Sequence, residues 1–109
     1  MINEKLEKAF NEQINAELYS EYLYLSMKAY FEQINLKGFV NWMDVQVQEE
    51  RAHAFGMYDY VHERGGKVVL TSIDAPKTEW NSPLEVFEDV LKHEELVTSK
   101  INALMDVAE

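Results

Sequence analysis

Four side chains able to bind a cation stand where helical spacing would bring them together: Glu17, the pair Glu50 and His53, and Glu94. Stepping by three and four from Leu6 gives Phe10, Gln13, Glu17, Ser20, Tyr24, Met27, Phe31 and Ile34, one face at helical period that is polar in its middle. A second walk gives Phe39, Met43, Gln46, Glu50, His53, Met57 and Tyr60, again apolar at both ends. A third gives Leu84, Phe87, Leu91, Glu94, Thr98, Ile101 and Met105, with Glu94 the ionisable member. Each stripe is interrupted by one glutamate.

Their levels agree. Glu17 lies 18 residues before Asn35 and His53 lies 18 after it. At the helical rise, both stand roughly 27 Å from a turn at Asn35, and Glu50 about 22 Å. Three carboxylates converging inside a low-dielectric core would repel one another and lose hydration, at several kcal/mol per ion, unless a cation neutralises them. Oxygen-rich ligation with one imidazole suits iron or manganese, with zinc as a competitor, and matches copper or an all-oxygen calcium loop poorly. Taken alone, Glu-x-x-His recurs on helices by accident, and a lone glutamate in a stripe more often has its head in solvent. Three helices interrupting their apolar faces at one level are much harder to obtain by chance.

The other histidines fall outside this pattern. His62 is about half a turn out of phase with His53, and His93 is about 100° around the helix from Glu94, so it reads as packing or surface. Taken on its own spacing, Tyr24 is a core tyrosine with a satisfied hydroxyl. Methionines at core spacing read as filler.

The elements that must position these groups are helices. Asn3 caps a first helix of approximately residues 4–34, and Asn35-Leu36-Lys37-Gly38 forms a tight turn. A second helix of approximately residues 36–64 stops at Gly65-Gly66, where left-handed backbone is accessible. Ser82-Pro83-Leu84-Glu85 reads as a capping box with proline at the first helical position, opening a third helix over 83–108. Between them, Lys67 to Asn81 includes a β-leaning Val68-Val69-Leu70 and a polar stretch. A connection of about 15 residues can cross the length of a bundle and start the third helix parallel to the second. The expected fold is all-α, a single helical-bundle domain over residues 1–109 with a long crossover.

Composition narrows the partners. Of the 109 residues, 47% are hydrophobic, which is enough for a packed core. A net charge of −10 opposes nucleic acid and anionic lipid and favours cations. The absence of cysteine excludes disulfides, thiolate metal sites and a cysteine nucleophile, and fits a reducing cytoplasm. The polar start, Met1-Ile2-Asn3-Glu4-Lys5, lacks an apolar signal core, and no run is apolar enough to span a bilayer. A soluble, cytoplasmic location is expected.

Several segments together carry a more specific signature: Asn15-Ala16-Glu17-Leu18-Tyr19-Ser20, Tyr22-Leu23-Tyr24-Leu25, Gly38-Phe39-Val40-Asn41-Trp42-Met43, Gln48-Glu49-Glu50-Arg51-Ala52-His53 and Glu79-Trp80-Asn81-Ser82-Pro83-Leu84. Over all its positions the chain resembles the prokaryotic (bacterial and archaeal) non-haem ferritins. The resemblance implies a ferritin-like bundle and an iron-storage protein with ferroxidase activity. Glu17, Glu50 and His53 would hold one iron, with Glu50 bridging to a second that Glu94 also binds. It also implies a role beside the centre for Tyr24, and a contribution to a third iron site for Glu49, whose own spacing fits a solvated rim residue equally well. Two ferrous ions would be oxidised by dioxygen or hydrogen peroxide, in a homo-oligomer of the family's 24-subunit shell type.

The sequence departs from the family at its end, where the rest of the third helix, the fourth helix and a short terminal helix are absent. With them go further iron ligands, so neither the second iron's full ligand set nor the shell follows from these residues alone. Three helices with open apolar faces imply a second chain in the groove or, as the favoured expectation, truncation of a longer protein. Two other readings compete: a non-catalytic oligomerising helical protein whose polar stripe residues only set register, and another diiron carboxylate protein of rubrerythrin type, against which the missing thiolate ligands count.

Overall fold

The computed structural model describes residues 1–108. Among these it contains three helices, α1 (Glu4–Gln33), α2 (Lys37–Glu63) and α3 (Pro83–Ala108), and no strand. Local chemistry sets their ends. Asn3 accepts from the Leu6 N–H at 2.8 Å, capping α1. At its other end Asn35 takes φ +59°, and the Asn35 and Leu36 N–H groups close back on the carbonyls of Glu32 (3.3 Å) and Phe31 (3.1 Å). The turn therefore uses Asn35 as its left-handed residue, and Gly38 falls inside α2. α2 ends in the same way, with Gly65 at φ +75° and the Gly66 N–H on the Val61 carbonyl at 2.8 Å. Gly66 is also required sterically, because a Cβ there would come within 2.7 Å of Ile2.

At the start of α3, the Ser82 hydroxyl accepts from the Glu85 N–H at 3.2 Å. The Glu85 carboxylate reaches back to the Asn81 side-chain amide (3.1 Å) and N–H (3.4 Å), one residue earlier than a standard capping box. Lys77 bridges Glu85 (3.0 Å) and Asp89 (2.9 Å), holding both carboxyls below their usual range. Asp89 also accepts from the Trp80 indole at 2.8 Å.

α1 and α2 pack antiparallel, as the ion pairs Glu21–Arg51 (2.7 Å) and Lys28–Asp44 (3.3 Å) require: position rises along one helix as it falls along the other. The connection then follows α1 as an extended strap. The Asn11 side chain donates to the Lys67 carbonyl (2.9 Å) and accepts from the Val69 N–H (2.8 Å). Asn15 donates to Thr71 Oγ1 (2.9 Å) and the Ser72 carbonyl (3.1 Å), and Ser26 to the Lys77 carbonyl (2.7 Å). The β-leaning segment thus finds a helix's amide side chains in place of a partner strand. The strap delivers α3 beside Tyr30, which packs on Trp80, so α3 runs back antiparallel to α1 and parallel to α2.

The core lies toward the C-terminal half of α1, where Leu23, Tyr24, Met27 and Phe31 meet Met43 and Val47 of α2, Trp80 of the strap, and Val86 and Val90 of α3. On α3 the buried face differs from the expected stripe. Val86, Val90, Val97 and Leu104 are buried, whereas Leu84, Leu91 and Met105 are 68%, 62% and 57% exposed. The physical reason is that α1 takes the valine face, leaving the leucine face toward the open side, where Phe87 reaches across to Phe39 and Trp42 of α2.

Replacing Asn11 by Ala removes both of its bonds to the strap, which is expected to cost about 1–2 kcal/mol. A urea midpoint unchanged from the parent chain would contradict this role for the strap anchor.

Candidate metal centre

Halfway along α1 and α2 the stripes bring Glu17, Glu50 and His53 together. One ligand atom from each lies within 4.8 Å of the others. His53 Nδ1 stands 3.7 Å from Glu17 Oε2 and 3.7 Å from Glu50 Oε2. Glu17 is fully buried and Glu50 nearly so, while the His53 side chain is 54% exposed on the open side of α2. Among the described residues no other group of histidine and acidic side chains converges in this way.

The two buried carboxylates are held differently. Gln13, one turn earlier on α1, donates to Glu17 Oε1 at 2.9 Å. That bond turns Glu17 Oε2 toward α2, where neither it nor Glu50 Oε2 has a hydrogen-bond partner. Burial is the largest effect on Glu50, followed by the facing Glu17 carboxylate and then by repulsion from Glu94 and Glu49; together they push its carboxyl up to about 9. At neutral pH the metal-free pair therefore keeps a proton on Glu50. Two lone-pair-rich oxygens without donors, with an imidazole nitrogen on the third side, make an arrangement that a divalent cation satisfies and that protein groups leave unsatisfied.

Glu94 stands beside this trio and does not join it. Its carboxylate accepts a short hydrogen bond from the fully buried Tyr24 hydroxyl. Burial and then the Glu94 bond push the Tyr24 hydroxyl far up, so it remains a donor. The expectation that three glutamates share one point thus becomes two on a common point with His53, with the third tied to Tyr24 and close enough to repel Glu50. Glu49 is exposed and touches the centre only through its field.

Three further residues pack around the centre: Gln13 and Ser20, to which the stripe pattern alone assigned no role, and His93, expected as packing or surface. Gln13 and Ser20 lie on the polar part of the α1 stripe, four before and three after Glu17, and that position was the available signal. His93 is half-buried, with Nε2 2.7 Å from Ser20 Oγ and its ring against Tyr19 and Tyr24 at centroid distances of 5.9 and 5.8 Å. Burial lowers its basicity. His93 lies outside the Glu17–Glu50–His53 cluster, and its spacing on α3 carries no sign of its contacts on α1.

Known proteins share this arrangement of chain. Residues 7–109 match the family model of the ferritin-like domain. The bacterial non-heme ferritin of Bacteroides fragilis is 51% identical over 108 residues, covering 99% of this chain and 68% of the relative. That of Staphylococcus saprophyticus is 43% identical, covering 99% of this chain and 65% of the relative. Among solved structures, a humanized archaeal ferritin superposes with a TM-score of 0.96 at 56% identity, over 99% of this chain and 66% of that one. The open-pore ferritin of the hyperthermophilic archaeon Archaeoglobus fulgidus superposes with a TM-score of 0.95, also at 56% identity, over 99% of this chain and 67% of that one. This chain thus spans about two thirds of the length of these relatives, so the fourth bundle helix lies outside it. With the strap-linked three-helix frame and the sequence agreeing over nearly its whole length, the chain belongs to the ferritin family.

Proposed function

We propose that this chain binds ferrous iron at Glu17, Glu50 and His53 and oxidises it to ferric iron for storage, as a ferroxidase. The observation that carries the reading is the buried, donor-free pair Glu17 Oε2 and Glu50 Oε2 facing His53. Iron is substrate and cargo here. The trio supplies one ion's ligands, and Glu50, lying between Glu17 and the field of Glu94, is the residue suited to bridge to a second ion held with Glu94. For that, the Glu94 carboxylate keeps one oxygen on Tyr24 and offers the other, and Tyr24 serves as the proton donor that fixes it. Glu49, exposed beside Glu50, is assigned to a peripheral third ion. Oxidant is dioxygen or hydrogen peroxide, reaching the centre from the side on which His53 is open. The chain contributes charge neutralisation, spacing and a water-poor surround, and the metal carries the electron chemistry. We assign the working form to a homo-oligomer of ferritin-shell type in the cytoplasm. Among the described residues no helix is long and apolar enough to cross a membrane.

Two outcomes test this. Adding ferrous ion anaerobically and then admitting oxygen is expected to give saturable ferric absorbance, with Glu50→Ala abolishing it; an undiminished rate in that variant would remove Glu50 from the site. The second concerns pH. A carboxyl whose folded-state value is raised to about 9 favours folding below its unfolded value, and that stability is lost as pH rises toward the folded value. The metal-free chain's Tm is therefore expected to fall between about pH 5 and pH 9. Glu50→Gln should flatten that fall, and a divalent cation, which binds the ionised form, should oppose it. A Tm fall equally steep in Glu50→Gln would show that Glu50 is not its source.

A further inference from the structure

His93 has no part in the trio, yet it links α3 to α1 at the level of the site. Ser20 is fully buried, and its hydroxyl donates to the Ala16 carbonyl at 2.9 Å. A serine has one hydroxyl proton, so with it committed to Ala16 the 2.7 Å contact with His93 Nε2 is one in which the ring donates and Ser20 accepts. The same ring stands at 85° to Tyr24, edge against face, at a centroid distance of 5.8 Å, and Tyr19 packs against it at 5.9 Å. Tyr24 in turn carries the hydrogen bond to Glu94, the residue that follows His93 on α3. The contacts close a ring through two helices: Ser20 holds His93, His93 bears on Tyr24, and Tyr24 holds Glu94. Glu94 has no other protein donor among the described hydrogen bonds, so its direction depends on where the Tyr24 hydroxyl sits.

We infer that His93 is a positioning residue, whose Nε2–H bond to Ser20 sets the Tyr24 ring and, through its hydroxyl, aims the Glu94 carboxylate at the second ion's place. The inference rests on the proposed two-ion reading for its consequence, while the positioning itself is a property of the metal-free chain. Packing alone would also bury a histidine against two tyrosines, but it would not require the Ser20 bond or a particular ring nitrogen to carry the proton.

The test uses this chain with 15N-labelled histidine and 13C-labelled tyrosine rings, and cobalt(II) as a non-oxidising probe. In the metal-free chain, NMR is expected to show His93 protonated at Nε2, and Ser20→Ala and His93→Leu should each move the Tyr24 ring resonances. Cobalt absorption is expected to report two equivalents bound in the parent chain. The weaker equivalent should lose about tenfold in affinity in Ser20→Ala and His93→Leu, with the tighter one unchanged, as for partners that orient metal ligands. His93→Gln, which keeps a donor, should recover most of the loss. Where His93→Leu fails to fold, the milder Ser20→Ala variant decides. Tyr24 resonances unmoved in the variants, or both cobalt equivalents weakened alike with no rescue by Gln, would overturn the inference. A parent chain that takes up no cobalt, yet whose Tyr24 resonances follow Ser20→Ala and His93→Leu, would sink the two-ion reading and leave the positioning role standing.

Discussion

Two carboxylates face each other inside this protein with one oxygen apiece lacking any donor, and the rest of the structure is organised around that confrontation. Glu17 is fully buried and Glu50 almost so. In such a medium two like charges raise one another's proton affinity, and here the result is a carboxyl pushed up to about 9. A protein with no use for the pair would be more stable with apolar residues in the same space. Keeping it makes sense where a cation replaces the proton, and on the proposed reading His53 would offer the third ligand atom without adding negative charge.

The frame that holds the pair is built from local signals. Two helix ends with residues in the left-handed region turn α1 into α2 and α2 into the strap. The strap is anchored along α1 by Asn11, Asn15 and Ser26, and so delivers α3 at the far end of α1 and antiparallel to it. Without that delivery, Tyr24 would have no Glu94 to bind and Ser20 no His93. The third helix thus serves the site through contacts with α1, while its leucine face remains open on the side where His53 is also exposed.

Much of this was legible in the residues. The polar interruptions in three apolar stripes pointed to Glu17, Glu50 and His53 because helical period and rise are nearly invariant, and counting from Asn35 put them at one level. Caps were legible for the same reason: Asn3, Gly65 and Ser82 act within a few residues of themselves. What could not be read was the choice between neighbouring faces of α3. Its valine and leucine stripes are both apolar at helical spacing, and which one α1 takes depends on how the strap rotates the helix. The Ser20–His93 bond was hidden similarly, since it spans 73 residues and neither partner departs from what a core or a surface would tolerate.

Relatives that share the fold are about half as long again. The Glu17–Glu50–His53 trio lies entirely within α1 and α2. Its occupancy can be measured directly by crystallography of this chain after anaerobic ferrous loading, with data collected at the iron absorption edge. An anomalous peak bonded to Glu17 Oε2, Glu50 and His53 is the expected result. Iron bound elsewhere on the surface, with the trio empty, would contradict it.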